Sequence, residues 1–142
     1  MTKADRAVGY LKDGFTCAQA VASSYCEELG LDTETTLRLS CGLGAGVSRL
    51  GHICGAVSGG CLLIGLHCGQ SSPQTPADKE STFSAVQEFV KRFEERNGST
   101  TCRGLLGVDM LADDPARVAE RTVAVCPKAV HSAVEILEEM LF

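Results

Sequence analysis

Apolar positions recur at helical spacing near the start of the chain, and turn-forming residues interrupt them at short intervals. Ala7, Val8 and Leu11 fall on one face of the stretch from Ala4 to Lys12, which is typical of an amphipathic helix. The pair Asp13-Gly14 follows, and such pairs commonly break helices. The pattern therefore predicts a first short helix over residues 4–12.

Two capping signals come next in the sequence. Thr16 is followed three residues later by Gln19, which is the spacing of a capping box, where each side chain bonds the other residue's backbone N–H. This signal predicts a helix from Cys17 to about Leu29. Asp32 is a suitable N-cap for a third helix, from Thr33 to about Cys41.

The stretch from Ile53 to Gly69, which lies within the longest uncharged run, predicts the central helix of the fold, at about residues 50–68. Its small residues would let other helices pack closely against it. Cys54, Cys61 and Cys68 are spaced by seven and share one stripe, but neighbours in that stripe lie about 10.5 Å apart along the axis. Only one of the three can therefore join any single site, and the other two are predicted to fill the core as small apolar side chains.

Two segments flanking this helix are rich in turn-forming residues. Cys41 to Gly46 contains three glycines, but it lacks the spacing of dinucleotide-binding and P-loop motifs. It predicts close backbone packing or a tight turn. Gly69 to Pro76 is rich in serine and proline and predicts a loop.

A long amphipathic helix is predicted from about Ala77 to Asn97. Phe83, Phe89 and Phe93 recur on one side of it, while charged residues cover the other side, so we expect the phenylalanine stripe to be core. Gly98 is a suitable C-terminal stop.

Three further helix N-termini are predicted in the last third of the chain. Thr101 is a plausible N-cap for a single helical turn that begins at Cys102. Pro115 is suited to the first position of another short helix, and Pro127 to the first position of the last helix, which makes Cys126 its N-cap.

No segment shows convincing strand alternation, an internal repeat or low complexity. The sequence therefore predicts an all-α fold: a compact single-domain bundle of five to six helices around the central helix. At this length one domain, spanning residues 1–142, buries about two thirds of its unfolded surface without disulfides or a metal.

The charge and the apolar runs argue against several classes of partner. The net charge of −5 and the absence of tryptophan argue against nucleic acid and anionic membrane. The 17 residues from Ile53 to Gly69 are fewer than the roughly 20 that span a bilayer. No apolar segment follows the N-terminal residues, so we expect a cytoplasmic protein whose thiols are kept reduced.

Eight cysteines in such a chain indicate metal, cluster or redox sites, with some filling the core. Cys17, Cys102 and Cys126 are each predicted at or just inside a helix N-terminus, where first-turn N–H groups lower the pKa of a thiol. No pair has the C-x-x-C spacing of thioredoxin-like enzymes or zinc ribbons. If four thiols form one site, its members come from distant parts of the sequence.

Four separated segments resemble, in order, the motifs of the C-GCAxxG-C-C family of redox-active proteins. They are Gly14-Phe15-Thr16-Cys17-Ala18-Gln19-Ala20, Cys54-Gly55-Ala56-Val57-Ser58-Gly59, Cys102-Arg103-Gly104-Leu105-Leu106-Gly107 and Cys126-Pro127-Lys128. This family is similar to the C-terminal, cluster-bearing domain of split-Soret cytochrome c. The resemblance implies that Cys17, Cys54, Cys102 and Cys126 are the functional four, and that Cys26, Cys41, Cys61 and Cys68 are additional. No C-x-x-C-H occurs, so covalent haem is not expected.

The leading functional hypothesis is an iron–sulfur cluster held by the four thiolates for electron transfer or redox sensing, with an unidentified redox partner. One alternative is a metal-free thiol–disulfide redox protein that uses two or more of the same cysteines. Another is a structural zinc tetrathiolate in a helical interaction module. A fourth is that the cysteines only pack in the core. The uncharged glycine face also raises the hypothesis of a homodimer.

Overall fold

Seven helices make up the structure, a computed structural model that describes residues 1–142 and is 72% helical without strands. The helices are α1 (Lys3–Lys12), α2 (Cys17–Ser24), α3 (Thr33–Ser40), α4 (Gly55–Cys68), α5 (Pro76–Asn97), α6 (Cys102–Leu106) and α7 (Pro115–Leu141). The all-α prediction is confirmed. The predicted count of five to six is too low, because even the short α6 is a complete capped helix. No helix combines the length and the hydropathy needed to cross a bilayer.

Helix α2 ends at Ser24, five residues before the predicted end at Leu29. The hydroxyls of Ser23 and Ser24 bond to backbone carbonyls one turn earlier, at 2.7 and 2.6 Å. Such bonds compete with the helical backbone and favour its termination. Cys26 therefore lies beyond the helix, where it is fully buried.

Helix α4 is the central helix, but it begins at Gly55 rather than near residue 50. The residues before it cannot continue a helix, because Gly51 has a φ of 76° and Ile53 forms an isolated antiparallel bridge with Thr101. The predicted small-residue face is confirmed. A Cβ atom at Gly60 would lie 2.4 Å from the Phe89 ring, so only glycine permits this contact between α4 and α5.

Buried apolar side chains form two separate clusters. The larger, which we call the main core, draws 18 residues from α1, α2, α4, α5 and α7 and from the residue before α4. The smaller, which we call the satellite core, contains Cys102, Leu106 and Val108, against which Met110, Val118, Val125 and Cys126 pack. The N-terminal half of α7 therefore packs on the satellite core, and its C-terminal half packs on the main core.

The phenylalanine stripe of α5 is only partly core. Phe89 and Phe93 are fully buried, as predicted, whereas Phe83 is 53% exposed. The neighbouring Thr82 donates a hydrogen bond to the Cys68 carbonyl at 3.2 Å. Thr82 therefore faces the end of α4, and Phe83 points to solvent.

Helix α7 is continuous, so the prediction that Cys126-Pro127 opens a final helix is wrong. The helix starts instead at Pro115, behind the N-cap Asp114. An internal proline leaves one carbonyl, four residues earlier, without its N–H partner. That residue is Val123, which is 76% exposed and so lies on the solvent side of the helix.

Candidate functional site

One cavity of about 140 Å³ is lined by Cys17, Cys54, Cys102 and Cys126. The structure thus brings together the four cysteines that the sequence motifs singled out. The rest of the wall is mainly apolar, and it consists of Leu11, Phe15, Thr16, Ala45, Leu105, Leu106, Met110, Thr122, Val125 and Ala129. The cavity lies between the main core and the satellite core.

Cys17 is the first residue of α2, as the capping box predicted. Thr16 Oγ1 accepts the Gln19 N–H at 3.2 Å, and Gln19 Oε1 accepts the Thr16 N–H at 2.9 Å. These bonds fix the start of the helix and hence the position of Cys17. Its sulfur lies against Gly55, where an added Cβ atom would approach Cys17 Sγ to 2.4 Å.

Cys54 and Cys102 are held beside each other by the isolated bridge between Ile53 and Thr101. The Cys54 N–H donates to the Thr100 carbonyl at 2.8 Å, and the Cys102 N–H donates to the His52 carbonyl at 2.7 Å. Cys54 thereby becomes the N-cap residue of α4, and Cys102 becomes the first residue of α6. The His52 side chain is exposed and is not part of the cavity wall.

A left-handed turn from Ala45 to Arg49 packs against Cys102. All five residues have φ between 52° and 72°, and four of them are not glycine. A left-handed conformation costs about 1–2 kcal/mol for each such residue, so the turn stores strain beside the site. Gly46 is the exception: an added Cβ would lie 2.5 Å from Cys102 Cβ. The close backbone packing predicted for Cys41 to Gly46 is therefore found at Gly46, whereas the left-handed turn extends beyond that segment to Arg49.

Cys126 reaches the cavity from the middle of α7 rather than from a helix end. The cysteines at helix starts are consequently Cys17, Cys54 and Cys102, not the predicted set that included Cys126. The error arose because Pro127 carries the same local signal whether it begins a helix or interrupts one.

The pKa values of Cys17 and Cys54 shift in opposite directions, because each thiol is the main influence on the other. The Cys54 thiol, aided by the N–H groups of Ala45, Ala18 and Gly55, lowers the pKa of Cys17 to about 6 even though burial opposes the shift. The pKa of Cys54 is raised, first by Cys17 and then by burial. Together they form a thiolate–thiol pair with its charge on Cys17.

The other two thiols shift in the opposite direction. Burial, and then the Cys17 charge, raises the pKa of Cys102 to about 11. Burial, followed by the charges of Cys17 and Cys102, raises the pKa of Cys126 to about 12. The predicted lowering at Cys102 and Cys126 is therefore wrong. Removal from water outweighs the weak dipole of the five-residue α6 at Cys102, and Cys126 has no helix start beside it.

All eight cysteines are free thiols in the structure. Cys26 is buried, and Cys61 and Cys68 are half-buried against the main core, in accord with the core-filling prediction for the latter two. Cys41 is exposed. No three His, Cys, Asp or Glu side chains converge closely enough to hold one metal ion. The sequence patterns did not predict that Met110 lines the cavity, because Met110 lies outside every motif and its neighbours show no pattern that would place it inside.

Comparison with known proteins identifies one family. The family described as "Putative redox-active protein (C_GCAxxG_C_C)" matches residues 15–140, nearly the whole chain. No curated protein and no solved structure matches.

Proposed function

The chain belongs to the redox-active C_GCAxxG_C_C family, and from this premise we propose that it holds an iron–sulfur cluster through Cys17, Cys54, Cys102 and Cys126. Its role would be electron transfer or redox sensing. The observation that carries the proposal is that four thiols from separate segments surround a single, largely apolar cavity.

The donor set suits such a group. Cysteine thiolates are the usual ligands of iron–sulfur clusters, and hydrogen bonds to their sulfurs tune the reduction potential. The backbone N–H groups of Ala18, Ala45 and Gly55 already lower the pKa of Cys17. The apolar wall would limit access of water to the sulfurs, which is a second determinant of potential. A bound cluster would supply one-electron redox chemistry at this position.

The spread of the thiols favours a cluster over a single zinc ion. Structural zinc needs four sulfurs at about 2.3 Å from one point. In this chain no three metal-binding side chains approach a common point that closely, whereas all four thiols border the cavity. A group of several atoms would reach all four with less rearrangement.

Incorporation of the cluster should depend on pH, because thiols must lose their protons before they bind a metal. Burial raises the pKa of Cys102 and Cys126, and the Cys17 charge raises that of Cys54. Only Cys17 is poised as a thiolate at neutral pH. We therefore expect cluster incorporation to become faster as pH rises above neutrality.

A second function is favoured by the Cys17–Cys54 pair itself. A thiolate with a lowered pKa beside a second thiol is the arrangement of a thiol–disulfide redox protein. Cys17 would attack a substrate disulfide and release one substrate thiol. Cys54, losing its proton, would then displace the second substrate thiol from the mixed disulfide. The substrate gains two electrons, one proton from Cys54 and one proton from water, and the protein ends with a Cys17–Cys54 disulfide.

Anaerobic purification followed by visible spectroscopy and assays of iron, zinc and labile sulfide tests the first proposal. We expect colour, iron and sulfide. Cys54→Ser should abolish them, whereas Cys26→Ser, at a buried cysteine outside the cavity, should not. Colourless protein without iron or sulfide after anaerobic reconstitution would refute the cluster. A Cys17–Cys54 disulfide found by peptide mapping after mild oxidation would then support the second function.

A further inference from the structure

Met110 contributes a fifth sulfur to the cavity wall. The Cys102 S–H donates towards Met110 Sδ across 3.8 Å. A thiol is a weak donor and a thioether a weak acceptor, so this contact orients the Cys102 thiol in a way that an aliphatic neighbour would not. The other methionines lie elsewhere: Met1 is exposed, and Met140 packs against the main core.

The backbone that follows Met110 is fixed by Asp109. Asp109 Oδ1 accepts the N–H groups of Leu111 and Ala112 at 3.0 and 3.2 Å. Its Oδ2 accepts from the Arg103 guanidinium at 3.2 Å. Arg103 follows Cys102 in α6, so one carboxylate joins the turn that carries Met110 to the helix that carries Cys102.

The turn also determines which side chains face the protein. Val108 is buried and Met110 is half-buried, whereas Leu111 is 66% exposed. The Asp109 N–H is itself held by Asp113 Oδ2 at 2.7 Å, and the Asp113 N–H returns to the Asp109 carbonyl at 2.8 Å. Met110 is thus presented to the cavity by a closed, hydrogen-bonded turn.

We propose that Met110 is a positioning residue for Cys102, whose thiol it directs into the cavity before a metal group binds. Sites with donors that are already oriented bind their metals more readily, and a thioether is itself compatible with soft metals. The effect on metal loading rests on the proposed iron–sulfur function. The contact between the two side chains does not.

The contact is tested first in metal-free protein by infrared spectroscopy of the S–H stretching bands. The Cys102 band is the one that disappears in Cys102→Ser. Met110→Leu nearly conserves volume but removes the acceptor, so this band should move to higher frequency. Met140→Leu is the matched control and should leave it in place. An unmoved band in Met110→Leu, or an equal shift in Met140→Leu, would overturn the proposal.

The consequence for loading is tested by reconstitution with limiting iron and sulfide. Met110→Leu should incorporate both several-fold more slowly than the wild type, and Met140→Leu should match the wild type. Equal rates in all three proteins would refute a positioning role. If the wild-type protein takes up no cluster, the iron–sulfur proposal fails, and the S–H band alone then decides whether Met110 orients Cys102.

Discussion

Cys17 and Cys54 belong to the main core, whereas Cys102 and Cys126 pack in the satellite core. The first pair lies among N–H groups from α2, α4 and the left-handed turn, and Cys17 is acidic. The second pair is shielded chiefly by apolar side chains, and both of its thiols have a raised pKa. The two halves of the cavity therefore differ in the groups that surround their thiols and in the direction in which the thiol pKa shifts.

The difference suggests two roles within one site. The main-core half can hold a negative charge in metal-free protein, because several N–H groups and a neighbouring thiol stabilise it. The satellite half keeps its thiols neutral until a positively charged group arrives to compensate them. On the proposed iron–sulfur function, we expect the metal group to engage Cys17 first and Cys102 and Cys126 afterwards.

Replacing large buried side chains by alanine in the two cores should give the largest changes in the free energy of unfolding. Phe89→Ala should lower the free energy of unfolding by about 3–5 kcal/mol, and Leu106→Ala by an amount near the low end of about 2–5 kcal/mol. Leu106 has few buried neighbours, so its site can relax. Urea unfolding measures both values.

Hydrogen exchange then shows where each change acts. In Leu106→Ala, faster exchange should be confined to α6 and residues 107–114, while the amides of α2 and α4 stay protected. Faster exchange throughout α2 in this variant would mean that the two cores unfold as one unit, and the distinction between them would fail.

Gly55→Ala should disrupt the main-core half specifically. The new Cβ would lie 2.4 Å from Cys17 Sγ and 2.9 Å from the Ala18 nitrogen, so we expect a loss of about 1–3 kcal/mol of stability from overpacking. Gly65→Ala on the same helix is the control, because nothing lies within 4 Å of its added Cβ. That change should stabilise the protein by about 0.5–1 kcal/mol. Equal effects of both changes on urea unfolding would contradict the close contact at Gly55.

Cys54→Ala should raise the pKa of Cys17 from about 6 towards its ordinary value, because the Cys54 thiol is the main cause of the lowering. Cys126→Ala should leave the pKa of Cys17 unchanged. Thiolate absorbance in the ultraviolet, titrated in metal-free protein, measures both. A thiolate that still appears near pH 6 in Cys54→Ala would show that the N–H groups alone are sufficient.

The pH dependence of stability should have opposite signs in the two halves. The Cys17 pKa is lowered on folding, so its contribution is complete above the unfolded pKa of about 8.5 and is lost as pH falls through about 6. The Cys102 pKa is raised, so its contribution is present below the unfolded pKa and is lost as pH rises through about 11. Comparing Cys17→Ser and Cys102→Ser with the wild type separates these contributions.

Local signals predicted some parts of this site and misled at others. Thr16 and Gln19 identified the start of α2, and with it Cys17, because a capping box is complete within four residues. Pro127 misled because its meaning depends on what packs beside it. Residues after it, such as Val130 and Val134, are anchored in the main core, and Val118 before it contacts the satellite core, so packing on both sides keeps α7 continuous.

Non-local contacts account for the remaining differences. The bridge between Ile53 and Thr101 delays the start of α4, and it pairs segments that are far apart in the sequence. The meeting of the four thiols could be predicted only through the family resemblance, since no spacing among the cysteines requires it. The left-handed turn was unforeseen because Val47 and Arg49 rarely adopt positive φ.

The position of Cys126 within α7 has a consequence for how the protein matures during its synthesis. Chains emerge from the ribosome N-terminus first, so Cys17, Cys54 and Cys102 are available before the wall formed by α7 exists. Until that helix has been made, the cavity lacks the part of its wall that Thr122, Val125, Cys126 and Ala129 provide. Enclosure of the site therefore follows the synthesis of all three other thiols.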